Sequence, residues 1–211
     1  MNLIIVASSG GQHAAVIYEA AVLAGMKVAG FVTVTRGSPI RVLDCPHLGD
    51  LEDFEWSAAP DELAFVVASG SNQLRREITE ALIRKGRKPH TVVHPSAIVS
   101  PSATIDAGSM ILAGAIIGPS TRIGCSSIVN HGASVDHDCV VGDYVNICPG
   151  ARIGGGAYIG RDVFIGLNGS VLQGVRIGDA AVVAAGAVVI AEVCANSTVA
   201  GVPAKLLKRL G

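Results

Sequence analysis

From Val93 to Val189 every sixth residue is Ile or Val, beginning Val93, Val99, Ile105, Ile111 and running on without a miss. Four residues after each comes a small or β-branched residue, among them Ala97, Ala103, Ser109, Ala115, Thr121, Ser127, Ala133, Cys139 and Val145. A period of six fits neither the helical repeat nor the two-residue alternation of an ordinary strand. It is the period of a parallel β-helix, whose short strands each offer one aliphatic and one small residue to a common interior. Residues 93–211 are therefore expected to form an all-β solenoid. A solenoid cannot cover its own outer faces and ends, so partners are expected too.

Residues 1–92 follow other rules. Leu3–Ala7 reads as a buried strand, followed by the turn Ser8–Gln12 and a helix from His13 to Ala24 that Gly25 stops. Lys27–Val34 and Ala64–Ala68 read as further strands. The second leads through Ser69-Gly70-Ser71-Asn72 into a helix from Gln73 to Lys85, ended by Gly86. Strand, Gly-rich turn, helix and strand make the βαβ pattern of a small parallel, Rossmann-like sheet. His90–Val93 is expected to be its last strand, and this domain to cover one end of the solenoid. At the other end, Lys205, Lys208 and Arg209 after Gly201-Val202-Pro203-Ala204 predict a short basic helix.

Composition narrows the class. Half of the 211 residues are hydrophobic, but the longest apolar stretch, Ala180 to Ala191, is too short to cross a bilayer. The start, MNLIIVASSGG, reads as a strand rather than a leader, and a net charge of −1 gives no footprint for nucleic acid. The five cysteines are scattered and odd in number, as expected of a reduced, cytoplasmic protein. Cys139 occupies the small interior slot of its hexad, which suits packing better than nucleophilic attack.

These hexads, closing on Gly201-Val202-Pro203-Ala204-Lys205, resemble the left-handed β-helix of the hexapeptide-repeat acyltransferases. With Ser9-Gly10-Gly11-Gln12-His13-Ala14 after the first strand, Ser69-Gly70-Ser71-Asn72 with Arg75-Arg76, and His94-Pro95-Ser96-Ala97 at the junction, the chain is similar to one subgroup. That subgroup N-acetylates nucleotide-linked 4-amino sugars of the bacillosamine or perosamine type, and sialic acid O-acetyltransferases stand close to it. The resemblance implies a homotrimer, three hexads to each coil, and acetyl-CoA as co-substrate in the groove between neighbouring coils. No metal is implied.

Val135-Asp136-His137-Asp138-Cys139-Val140 is the hexad carrying polar chemistry. Acetyl transfer to an amine needs a base near neutral pH, which imidazole supplies, and an acidic neighbour fixes its tautomer. In the resembled family the catalytic His is followed by Glu or Asp, which points to His137 and Asp138. Adjacent strand residues face opposite ways, so the pair must sit at a corner to touch. One coil further on, Gly155 matches the family's oxyanion donor, although glycines also serve tight corners. His131 is either a substrate or interface residue or a solvated side chain. Asn146 falls where the bacillosamine-type enzyme has a second, substrate-contacting His.

The resemblance also implies pantetheine near Ile165-Gly166-Leu167 and Ala184-Ala185-Gly186, with adenine and its 3′-phosphate towards Pro203, Lys205, Lys208 and Arg209. It places the nucleotide of the acceptor at Gly10, Gly11 and His13, where N–H groups opening a helix suit a phosphate. Many relatives hold the base with acidic residues after the second strand. Here that stretch is Val32-Thr33-Val34-Thr35-Arg36-Gly37, which favours the sialic acid reading slightly and leaves Thr33 as the candidate contact. Two other classes are a trimeric β-helix carbonic anhydrase, for which a third His ligand is missing from the repeats, and a non-catalytic binding scaffold.

Overall fold

The computed structural model describes residues 2–8, 11–35, 43–56 and 63–209. Thus Gly10, like Arg36 and Gly37, lies outside the described residues. The N-terminal domain is β1 (Asn2–Ala7), α1 (Gln12–Leu23), β2 (Lys27–Thr33), β3 (His47–Asp50), β4 (Leu63–Ala68), α2 (Asn72–Arg84) and β5 (Lys88–Pro89). Its five strands pair in parallel in the order β3-β2-β1-β4-β5, the Rossmann-like sheet expected. The apolar runs of β1 and β4 are buried on both sides, as a covered parallel sheet requires. Ser71 caps α2 by accepting from the Leu74 N–H at 3.3 Å. Gly11 stands before α1 at φ 62° with no side-chain cap.

From Val92 the chain winds as a parallel β-helix of two-residue strands. Partners are eighteen residues apart, as in Ile111↔Val129↔Ile147↔Ile165↔Val183, so three hexads complete a coil. Three flat faces result. Face A runs from Val92–Val93 to Val182–Val183, face B from Ile98–Val99 to Val188–Val189, and face C from Thr104–Ile105 to Arg176–Ile177. The second residue of each strand points inward, and from Ile111 to Val199 these residues form one continuous buried core with the small residues of the corners.

The first residue of each strand points outward, and its burial shows what lies outside. On face A, Val92, Met110 and Ile128 are fully buried against α1, β1 and β4, and Asn146 is 5% exposed. On face B, by contrast, Ile98 is 65% and Ile116 45% exposed. The N-terminal domain therefore lies along face A instead of capping an end, because the outward residues of the first coils there are apolar and need cover.

Three boundaries differ from expectation. The sheet's last strand is Lys88–Pro89, and Val92–Val93 already belongs to the first coil. β3 is an additional strand. Lys205–Arg209 is not a helix but a strand pairing antiparallel with Ser197–Ala200, since the last coil leaves an open edge whose N–H and C=O groups need partners. Among the described residues no helix is long and apolar enough to cross a membrane.

Candidate active site

From Gly108 to Gly186 each corner of the β-helix is a four-residue turn whose third residue adopts positive φ. In the turn after Ser134–Val135, between faces B and C, that residue is Asp138 at φ 55°. The left-handed conformation undoes the strand alternation, so adjacent side chains meet. The His137 Nδ1–H donates to Asp138 Oδ2 at 2.8 Å. An ionised carboxylate only accepts, so this bond fixes the hydrogen on Nδ1 and leaves the Nε2 lone pair free. The Asp136 carboxylate accepts the His137 N–H at 2.8 Å. The hydrogen bond to Asp138, reinforced by the charge of Asp136, raises the imidazole pKa above its ordinary value.

One coil below, Gly155 lies directly under the ring. A Cβ there would fall 2.5 Å from His137 Nε2 and 2.6 Å from Cε1. Any side chain there would push the imidazole aside, so glycine lets the ring stand over an open stretch of backbone. The N–H at this position of a corner has no backbone acceptor in this fold. Asp143 Oδ1 takes that of Cys125, Asp179 Oδ1 that of Arg161, and Asn130 Oδ1 that of His131. At Gly155 no described group accepts it. An imidazole with Nε2 free, a carboxylate on its Nδ1–H and a glycine with an unpaired N–H thus meet at one corner, the kinds of group that acyl transfer uses.

The remaining candidates fall into two other groups. At the corner between faces A and B lie His131, Leu167, Ala185 and Gly186. Leu167 is 52% exposed, Ala185 is exposed, and the Gly186 N–H donates to Leu167 O at 2.8 Å. Ile165 points inward and is fully buried, so only its backbone can meet a ligand. Gly166 packs against the next coil, where a Cβ would meet Ala185 N at 2.6 Å. The turn carrying Pro203 is tied to face B by the Val188 N–H to Gly201 O and the Ala204 N–H to Val188 O. Pro203 and Lys205 are both exposed there.

The third group faces the N-terminal domain. Asn146 is not with His137; its Nδ2 donates to Gly70 O at 3.0 Å, joining the β-helix to the turn after β4. His13, in the first turn of α1, has its Nε2 closed off from solvent without a partner. Burial, then the charges of Arg75 and His131, lower its pKa to about 4. Thr33, at the end of β2, donates to Asp50 Oδ1 at 2.8 Å and meets His47 Nε2 at 3.2 Å. A carboxylate therefore does stand at the end of β2, delivered by β3. The sequence reading missed it because His47–Asp50 is a short polar strand without alternation. Among the described residues no three His, Cys, Asp or Glu side chains cluster so as to hold a metal ion.

Between the groups lies a buried cation. Arg75 of α2 is fully buried and reaches the corner between faces C and A. Its Nε donates to Ser126 O at 2.7 Å, Nη1 to Ser69 O at 2.8 Å, and Nη2 to Tyr144 O at 2.7 Å and Asn72 Oδ1 at 2.9 Å. Asn72 Nδ2 adds a bond to Asp162 O at 2.9 Å, and Arg76 pairs with the Asp162 carboxylate. Both domains are held in one arrangement by these bonds.

Comparison with known proteins follows the same division. Residues 2–82 match the PglD N-terminal domain family and residues 156–191 the hexapeptide repeat of succinyl-transferase. The acetyltransferase domain of PglB from Neisseria gonorrhoeae is 34% identical, with a TM-score of 0.90 over 98% of this chain and 99% of that one. The same domain is also known in complex with acetyl coenzyme A. PerB from Caulobacter crescentus, in complex with CoA and GDP-perosamine, is 32% identical with a TM-score of 0.87, covering 99% of this chain and 98% of that one. A 2,3,4,5-tetrahydropyridine-2,6-dicarboxylate N-acetyltransferase of Enterococcus faecalis is 56% identical over 43 residues only, 20% of this chain and 18% of that protein. From the full-length matches and the shared two-domain plan, the chain belongs to the hexapeptide-repeat acyltransferases that carry a PglD-type N-terminal domain, and it is an enzyme of that class.

Proposed function

We propose that the protein transfers the acetyl group of acetyl-CoA to the 4-amino group of a nucleotide-linked amino sugar, and that it works as a homotrimer. The observation that carries this reading is the His137 imidazole, oriented by Asp138 and standing over Gly155 with Nε2 free. The amine attacks the thioester carbonyl while His137 Nε2 takes its proton. The Gly155 N–H holds the oxyanion, and collapse expels the CoA thiolate, which recovers the proton from the imidazolium. Among the described residues no Cys or Ser side chain pairs with the His137 imidazole, which favours direct attack over an acyl-enzyme.

The placement of the groups supports the trimer. His137 stands on the corner opposite face A, whereas the turn at the carboxyl end of β4, on the edge of the sheet where such folds have their usual ligand crevice, meets the β-helix at face A. A nucleotide held in that crevice cannot present its sugar to the same chain's His137. Three chains packed with face B around a threefold axis bring the corner of His137 and Gly155 against the next chain's corner of His131, Leu167, Ala185 and Gly186. They also cover Ile98 and Ile116. Acetyl-CoA would then run along Leu167, Ala185 and Gly186 towards Pro203 and Lys205. The Asp50 carboxylate beside Thr33 supports a nucleotide-linked acceptor over free sialic acid.

The test is acetyl-CoA-dependent thiol release with UDP-, GDP- and dTDP-linked 4-amino sugars, with sialic acid in the same panel. Turnover of one nucleotide sugar is expected, and His137→Ala should lower kcat by about 10²–10⁴-fold without loss of the trimer. Release with sialic acid alone, or an active His137→Ala variant, overturns the reading.

A further inference from the structure

A cleft of about 150 Å³ separates α1 from the corner between faces A and B. Its walls are apolar, formed by Val16 and Ala20 on the helix and by Leu112 and Ala113 on the second coil. Three polar side chains enter it: Glu19 from α1, His94 from the first coil and His131 from the third. The base, the oxyanion donor and the candidate CoA residues lie elsewhere, and Glu19 and His94 have no part in the chemistry described so far.

His94 is held in one orientation. The Ser96 N–H donates to His94 Nδ1 at 3.0 Å, and the Ser96 hydroxyl, 2.8 Å from the same atom, itself accepts from the Gly114 N–H at 3.2 Å. An Nδ1 that accepts a backbone N–H carries no hydrogen, so the hydrogen is on Nε2, which is left to donate. Glu19 brings an acceptor. A donor, an acceptor and a second imidazole over an apolar floor suit a polyhydroxylated ring with one less polar face.

Position selects the ring. Gly11 and His13 open α1 at the crevice proposed for the nucleotide, and Val16, Ala20 and Leu23 continue the same helix stripe along the cleft. The cleft occupies the first three coils of the corner whose later coils carry Leu167, Ala185 and Gly186. We infer that this cleft seats the amino-sugar unit of the acceptor, with His94 donating to a ring hydroxyl, Glu19 accepting from the ring, and His131 at the mouth facing the neighbouring chain's base. The inference rests on the trimeric acetyl-transfer reading above and adds its substrate-positioning residues.

Glu19 and His131 are exposed and His94 is half-buried, so substitution should leave the fold intact. In the full-length enzyme, Glu19→Gln, His94→Ala and His131→Ala are each expected to raise KM for the nucleotide amino sugar about tenfold, the worth of one hydrogen bond. KM for acetyl-CoA and the affinity for the bare nucleoside diphosphate should not change, and His94→Gln, which keeps a donor, should recover part of the loss. Unaltered acceptor KM in all three variants of a turning-over enzyme overturns the inference and leaves the acetyl-transfer reading standing. If the wild type turns over none of the panel, titration of ¹⁵N-histidine resonances with the same sugars separates the two. Shifts of His94 and His131 keep the cleft and sink the reaction, whereas silence sinks both.

Discussion

Two corners of the same β-helix have been put to opposite uses. The corner between faces C and A gives its carbonyls, Ser126 O and Tyr144 O, to a guanidinium buried out of reach of water. The corner between faces B and C leaves His137 and Asp138 more than half exposed, with the Gly155 N–H beneath them. The inward residues are alike in both, Ile or Val followed by a small residue, and so are the backbone turns. One hexad thus sets the fold, and the outward side chains decide whether a corner holds a domain or stays open to a ligand.

The sharpest way to break this contrast is to remove the cation. Arg75→Met leaves the carbonyls it served buried and unpaired, and should cost about 3–5 kcal/mol of stability while freeing the N-terminal domain from face A. Denaturant unfolding followed by tryptophan fluorescence measures it, Trp56 being the only tryptophan. A change below about 1 kcal/mol would mean that the apolar contact of α1 with Met110 and Ile128 suffices.

A smaller effect distinguishes two imidazoles. His13 is held neutral, with a folded pKa of about 4 against the ordinary 6.5. A lowered His pKa gives stability that is full above the unfolded value and is lost as pH falls, here between about 6.5 and 4. The wild type should lose roughly 2–3 kcal/mol across that window, and His13→Gln should flatten the dependence. An unchanged acid profile in the variant would refute burial as its cause. The exposed His137 is shifted the other way, and there the effect is on rate. Asp138→Asn replaces the charged acceptor that raises its pKa with a neutral one, so the acid limb of kcat/KM should move to lower pH while kcat falls. A limb that stays in place would show that another group titrates.

Most of the β-helix could be read from the hexads, because a six-residue period allows only one interior. The pairing of His137 with Asp138 could also be read, provided a corner intervened, and the positive φ of Asp138 provides it. The docking of the N-terminal domain could not. Val92, Met110 and Ile128 look like any other outward residues until a partner covers them, and nothing in Arg75 announces that its acceptors would be carbonyls some fifty to seventy residues away. The end strand Lys205–Arg209 was misread because its fate depends on an open edge in another segment and not on its own composition.

The eighteen-residue register between His137 and Gly155 limits how such a gene can change length. Loss of one hexad between them preserves every inward Ile or Val and leaves a well-packed solenoid, yet it carries the glycine to a different corner from the imidazole. Hexads gained or lost outside that interval leave the two stacked. Folding tolerates insertions and deletions in steps of six anywhere along the solenoid, whereas the interval between the stacked pair tolerates none.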